Sequence, residues 1–304
     1  MDHAHRLKRQ ATSYGIVLVI ALCFLLLSPS AASQEKHSGT AGQCATCHEE
    51  VAKKFAATRH GKADTFQAWG FDQGCASCHE GAAAHMQSGD ASQVTNPTKL
   101  AAGAASGTCL KCHGNRPAQA FWSGSAHETS DLSCLSCHSV HKAKSPEKLL
   151  AKRTESELCF TCHTDVRKAL HQRSTHLFRN EWASVRVSCS SCHSPHGSQT
   201  EKMLKNTSLN TTCYSCHQEK RGPFLWEHFP VKENCMNCHT PHGSNNPGLL
   251  TLRTTLLCQQ CHVQGIHQTV AGRPNSTVLL NRGCLNCHGK IHGSNHPSGK
   301  DLDR

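Results

Sequence analysis

Ten times in this chain two cysteines stand three positions apart with a histidine directly after the second. The cysteine pairs are Cys44 and Cys47, Cys75 and Cys78, Cys109 and Cys112, Cys134 and Cys137, Cys159 and Cys162, Cys189 and Cys192, Cys213 and Cys216, Cys235 and Cys238, Cys258 and Cys261, and Cys284 and Cys287. The histidines that follow are His48, His79, His113, His138, His163, His193, His217, His239, His262 and His288. Cys-x-x-Cys-His is the attachment signature of c-type haem. Two thiols add to the porphyrin vinyl groups, and the next imidazole is placed to ligate the iron. The motifs use twenty of the twenty-one cysteines, so ten haems are expected. Structural zinc needs no histidine after every second cysteine. A disulfide framework would leave ten histidines without a role. A thioredoxin-like motif would occur once, within a βαβ pattern that is not visible here.

An iron with histidine at both axial positions can only pass electrons, whereas an open position permits catalysis. Thirteen histidines outside the motifs follow residue 33. Ten recur in similar contexts, one per haem, and are the expected second ligands: His60, His85, His127, His141, His176, His196, His228, His242, His267 and His292. His37, His171 and His296 remain, and His171 competes with His176. Methionine is a poor alternative, with only Met86, Met203 and Met236 beyond Met1. His141, His196 and His242 each lie three residues after a motif histidine, and His292 lies four after. Three residues span at most about 10 Å, too little to round a porphyrin edge to the opposite face. Each of these four is expected to ligate a neighbouring haem and so to clamp adjacent haems together.

The elements that carry these residues form a repeat. Successive motifs begin 31, 34, 25, 25, 30, 24, 22, 23 and 26 residues apart, the mark of a repeat architecture. Residues 109–141 and 213–242 align: Trp122 and Trp226 each lie nine residues after a motif histidine, and His127 and His228 each lie seven before the next motif. The unit reads as a histidine, then Cys-x-x-Cys-His-x-x-His, then an apolar patch, then another Cys-x-x-Cys-His. Stacked units that touch mainly their neighbours give an elongated shape. Helical composition is visible at residues 49–59 and 155–172. Gly, Ser, Asn and Pro punctuate most of the rest, and strand alternation is absent. The expected fold is a multihaem cytochrome c: mostly coil with short α-helices, little or no β, and a linear haem chain in two pentahaem halves, 34–165 and 166–304.

Arg6, Lys8 and Arg9 precede the apolar run 14–27, and small residues follow through Ser33. The run suits a signal peptide, residues 1–33, better than a membrane span; an uncleaved anchor is the alternative. Cys23 lies inside that run and reads as apolar filler. Export fits haem attachment, which occurs on the oxidising side of the bacterial inner membrane, and implies the periplasm. The net charge of +11 falls to +9 without residues 1–33. Twenty propionates on ten haems would take it to −11 with ferrous irons and about −1 with ferric ones. The basic residues thus read as propionate partners, and no nucleic acid is expected. Only 5% of residues are aromatic, so the porphyrins must supply most of the buried apolar surface. An apoprotein of this kind is expected to be largely unfolded.

The ten motifs behind a signal peptide, the stretch CYSCHQEKRGPFLWEHFPVKENCMNCHTPHGS and the ending CLNCHGKIHGSNHPSG closely resemble the periplasmic decahaem cytochromes of the MtrA/DmsE group. The likeness covers essentially the whole chain after the signal peptide and is most specific from about residue 105. It implies bis-histidine haems in a long line and no catalytic residues. It also implies electrons from a periplasmic or inner-membrane quinol-linked donor. They would pass to an outer-membrane porin-like β-barrel and an extracellular cytochrome or reductase. Relatives in iron-oxidising and phototrophic bacteria run such a conduit inward. The competing readings are a multihaem reductase with one open haem, and a free periplasmic shuttle without a barrel. Every motif has a candidate second histidine, so an electron carrier with no small-molecule substrate is favoured.

Overall fold

The computed structural model describes residues 40–62, 74–145, 148–176, 187–262 and 283–302. The signal segment 1–33, with Cys23, as well as His37 and His267, lies outside the described residues. Helices are short. The longest among the described residues is Ala102–His113, the other α-helices run from four to eight residues, and the 3-10 helices have three. Isolated helices of that length are marginal in water, so packing and caps must hold them. The structure has no strand among the described residues, only isolated bridges, and no described helix is long and apolar enough to cross a membrane.

Two kinds of motif alternate along the chain. Odd-numbered motifs sit at the end of an incoming helix. Thr154 caps Glu155–Cys159, and Ser208 with Thr211 forms a capping box for Leu209–Tyr214. Even-numbered motifs form their own single turn, as in Cys134–Cys137 and Cys189–Cys192, boxed by Ser133 with Ser136 and by Ser188 with Ser191. A side chain three or four residues before an odd motif then grips the start of the next even one. Ser106 Oγ accepts from the Cys134 N–H at 3.3 Å. Glu155 accepts from the Ser190 N–H and hydroxyl. Asn210 Oδ1 accepts from the Cys235 N–H at 2.9 Å.

The helix expected at 49–59 runs from Glu49 to Ala56. The stretch 155–172 is two helices, Glu155–Cys159 and Thr164–Ala169, because His163 (φ −85°, ψ 62°) leaves the helical region to complete the motif turn. Helix Ala102–His113 has no strong sequence signal, since Gly103 and Gly107 are poor helix formers. Its Ala105 and Ser106 are buried against the fourth motif.

The second type of joint links units further apart. Ser174 and Ser244 exchange backbone hydrogen bonds of 2.8 Å, and Trp226 and Ser294 exchange bonds of 2.9 Å. Each of these serines, 244 and 294, ends a His-Gly-Ser triplet. The glycine is obligatory at such a joint: a Cβ on Gly243 would overlap the Ala169 carbonyl oxygen. Conventional core is scarce. The buried apolar residues among those described are Ala82, Ala105, Trp122 and Leu150.

Candidate metal centres

Nine of the ten motif histidines face a histidine from outside the motifs. Ring centroids are 6.3 Å apart for His48 and His85, 6.1 Å for His79 and His141, and 6.0 Å for His113 and His60. They are 6.1 Å apart for His138 and His196, 6.2 Å for His163 and His127, and 6.1 Å for His193 and His242. They are 6.4 Å apart for His217 and His176, 6.2 Å for His239 and His292, and 6.2 Å for His262 and His228. The tenth motif histidine, His288, is described, but His267 lies outside the described residues. His171 is exposed, while His176 faces a motif. His296 bonds locally to Ser298.

The spacing of the pairs fits one metal between two rings. Two metal–imidazole bonds of about 2.0–2.1 Å each, as for zinc, with a ring radius of about 1.1 Å at either end, place the centroids about 6.3 Å apart. No group of three or more His, Cys, Asp or Glu converges into a metal cage among the described residues, so the arrangement is pairwise rather than zinc-like. A continuous, mostly apolar cavity of about 4460 Å³ runs past motifs two to ten, several times an ordinary ligand pocket. Buried polar atoms without a partner, Trp122 Nε1 and Gln119 Oε1, belong to residues that line this space. The residues present fit a series of haems.

Protonation points the same way. Burial, the largest cause, holds His60, His113, His141, His196, His228, His242 and His292 below the ordinary histidine range. Those rings are neutral at pH 7, the form that binds metal. Many rings are also aimed by a backbone carbonyl at Nδ1. A carbonyl only accepts, so Nδ1 carries the proton and Nε2 keeps the lone pair. In the even-numbered sites the motif histidine is held: His79 by Thr95 at 2.9 Å, and His138, His193, His239 and His288 by Lys148, Lys202, Gly248 and Asp301 at 2.8 Å. In odd-numbered sites the opposite ring is held: His85 by Asp90 at 3.0 Å, His127 by Pro195 at 2.8 Å and His176 by Pro241 at 2.6 Å.

The pairing has a rule. His141, His196, His242 and His292 face not their own motif but the even motif before it. His60, His127, His176 and His228 face the odd motif that closes their own two-motif unit. The odd sites from the third motif to the ninth therefore close within a unit, and the even sites from the second to the eighth close between units; the first site, faced by His85 from beyond the second motif, is the exception. The carbonyls add a cross-link, because Pro195 and Pro241, which hold His127 and His176, directly precede His196 and His242.

The cysteines place the sites in order. The first cysteine of an odd motif interacts electrostatically with that of the next even one: Cys44 with Cys75, Cys109 with Cys134, Cys159 with Cys189, Cys213 with Cys235, and Cys258 with Cys284. The neighbouring Cys109 thiol chiefly lowers the Cys134 thiol, to about 6. Second cysteines interact electrostatically across the other joint: Cys78 with Cys112, Cys137 with Cys162, Cys192 with Cys216, and Cys238 with Cys261. The ten attachment points thus follow one line in sequence order. Sequence reading marked the histidines but missed the carbonyls that aim them. The signal was present as Leu149-Leu150, Met203-Leu204 and Leu249-Leu250, each starting ten or eleven residues after a motif histidine.

Comparison with known proteins agrees with this unit. The family described as doubled CXXCH motif matches residues 127–168, 183–222 and 228–266. The first and last of these spans begin at His127 and His228, the histidines that close odd sites. The chain is also 42% identical over 277 residues to the multiheme cytochrome MtrA of Shewanella baltica (strain OS185), covering 87% of this chain and 81% of that protein. An identity of that level over that share of the sequence, on top of paired motifs strung along one cavity, means that the chain belongs to the MtrA family of multihaem c-type cytochromes, proteins of electron transfer.

Proposed function

We propose that each of the ten motifs carries one c-type haem through its two cysteines, with the iron between the motif histidine and one outside histidine. The pairs would be His48 with His85, His79 with His141, His113 with His60, His138 with His196, and His163 with His127. The second five would be His193 with His242, His217 with His176, His239 with His292, His262 with His228, and His288 with His267. The nine ring pairs at 6.0–6.4 Å carry this reading. The haem supplies the one-electron ferric–ferrous couple. The chain's residues fix ligand identity, ring orientation and the order of the sites, and they exclude water.

In this reading the molecule is a periplasmic electron conduit rather than an enzyme, since both axial positions are filled. Residues 34–165 and 166–304 carry five haems each, and residues 1–33 direct export. Its electrons pass between a quinol-linked donor and an outer-membrane complex of β-barrel and extracellular cytochrome or reductase. The likeness to the MtrA protein supports that placement. The test is an EPR and magnetic circular dichroism spectrum of the oxidised holoprotein with haem quantified. Ten low-spin haems per chain are expected; a stoichiometric high-spin iron would instead mark an open site and a reductase. Stable co-purification with a large β-barrel separates a conduit from a free shuttle.

A further inference from the structure

Four of the five even-numbered sites, the second excepted, share a backbone device that neither motif nor family describes. Leu149 (φ 53°), Met203 (φ 51°), Leu249 (φ 58°) and Leu302 (φ 57°) all adopt the left-handed conformation. Such a conformation is a genuine outlier for a bulky residue, yet it recurs at the same place in four units. The carbonyl just before each is the one that meets the motif histidine: Lys148 with His138, Lys202 with His193, Gly248 with His239 and Asp301 with His288, all at 2.8 Å. The carbonyl of the strained residue itself accepts from the backbone beside that histidine. Ser139 N–H reaches Leu149 at 2.8 Å, Ser194 reaches Met203 at 2.7 Å, Thr240 reaches Leu249 at 2.7 Å and Lys290 reaches Leu302 at 3.0 Å. The left-handed turn is what lets two successive carbonyls point at one motif. At His79, His138, His193 and His239, where a carbonyl holds the motif ring, the paired planes lie within 14–28° of each other. In the odd sites the same angle ranges from 24° to 63°.

We propose that Leu149, Met203, Leu249 and Leu302 are positioning residues that set the potential of the fourth, sixth, eighth and tenth haems. Each does so by aiming the preceding carbonyl at Nδ1 of the motif histidine. The inference rests on the axial-ligand reading above. A carbonyl that accepts the Nδ1 proton makes the imidazole a stronger electron donor. A stronger donor favours ferric over ferrous iron and lowers the potential of that site. The strain is therefore spent on redox tuning and not on packing alone.

The test compares Leu149→Pro with Leu149→Gly in the ten-haem protein. Proline holds φ near −65° and cannot make the turn; glycine makes it freely while losing the same apolar side chain. Both are read by haem content, EPR and potentiometric titration. In Leu149→Pro one haem in ten is expected to rise by at least tenfold in its ferrous-to-ferric ratio, or about 59 mV for one electron. It should stay low-spin, and Leu149→Gly should titrate as the parent does. A Leu149→Pro protein that titrates as the parent, or a Leu149→Gly protein that shifts equally, overturns the proposal. If Leu149→Pro does not accumulate, Leu149→Ile replaces it, because a β-branched residue also disfavours the turn. The ligand reading is checked separately by His196→Ala, which should give one high-spin iron. If it leaves all ten low-spin, the ligand reading fails; if it behaves as expected and Leu149→Pro does nothing, only the turn's role fails.

Discussion

At His138 the Nδ1 proton goes to the Lys148 carbonyl 2.8 Å away, which leaves Nε2 as the only lone pair the ring can offer a metal. The same division of labour recurs at the other even-numbered motifs and, on the opposite ring, at several odd ones. The histidines were readable in the sequence because the motif and the short-range contexts mark them. Their partners were not, because a pair such as His79 and His141 is separated by 62 residues and no local pattern encodes it. The pairing makes a sharp prediction. His141→Ala should leave ten haems attached and turn one iron high-spin, and that iron should belong to the second motif rather than the fourth, which His141 follows. Combining His141→Ala with His79→Ala would test it, since no second iron should then change. The low pKa of the buried rings predicts the pH response. A histidine held below its unfolded value near 6.5 contributes stability above that value and loses it as pH falls through the folded pKa. Acid titration of the oxidised protein should raise the high-spin absorbance only below the ordinary histidine range, because burial and the iron both disfavour the protonated ring. A rise on the alkaline side would count against the neutral-ring account.

At the scale of elements, the short helices matter for where they end. Each odd-motif helix delivers its first cysteine beside that of the next even motif, and the residue three positions earlier, Ser106 or Asn210, secures the contact. Sequence periodicity found helix Glu49–Ala56 but not Ala102–His113, whose small, flexible residues make a weak helix signal and a close packing surface. The left-handed turns were equally hidden. Leu and Met are poor choices for that conformation, at a cost of roughly 1–2 kcal/mol each, so only the surrounding bonds reveal them. The glycines of the His-Gly-Ser triplets are the opposite case: visible as turns, but with a role that only the packing explains. Gly243→Ala would drive a Cβ into the Ala169 carbonyl oxygen. Overpacking of this kind costs about 1–3 kcal/mol, and chemical denaturation of the holoprotein should show it. An unchanged midpoint would mean that the joint between units is looser than the bridge at Ser174 and Ser244 indicates.

Across the whole molecule, repeat spacing and sparse apolar residues already pointed to a line of units without an ordinary core. The alternation of joints within that line was not visible, because it depends on which unit each histidine reaches. From the second motif to the ninth, odd sites are closed by their own unit and even sites by the next, so successive units there are pinned through a metal position, and at Ser174 with Ser244 and Trp226 with Ser294 through backbone bonds as well. The same interlacing has a meaning for how such a molecule changes in length. Removing one whole period leaves every remaining fastening with an equivalent partner, whereas removing half a period orphans two. If residues 174–225 are deleted, His138 loses His196 but meets His242, and His262 keeps His228. The shortened protein is expected to carry eight haems, all low-spin, and a deletion confined to a single motif to leave an open iron. The natural increment of this architecture is two haems at a time, so lineages that lengthen or shorten it should do so in even steps.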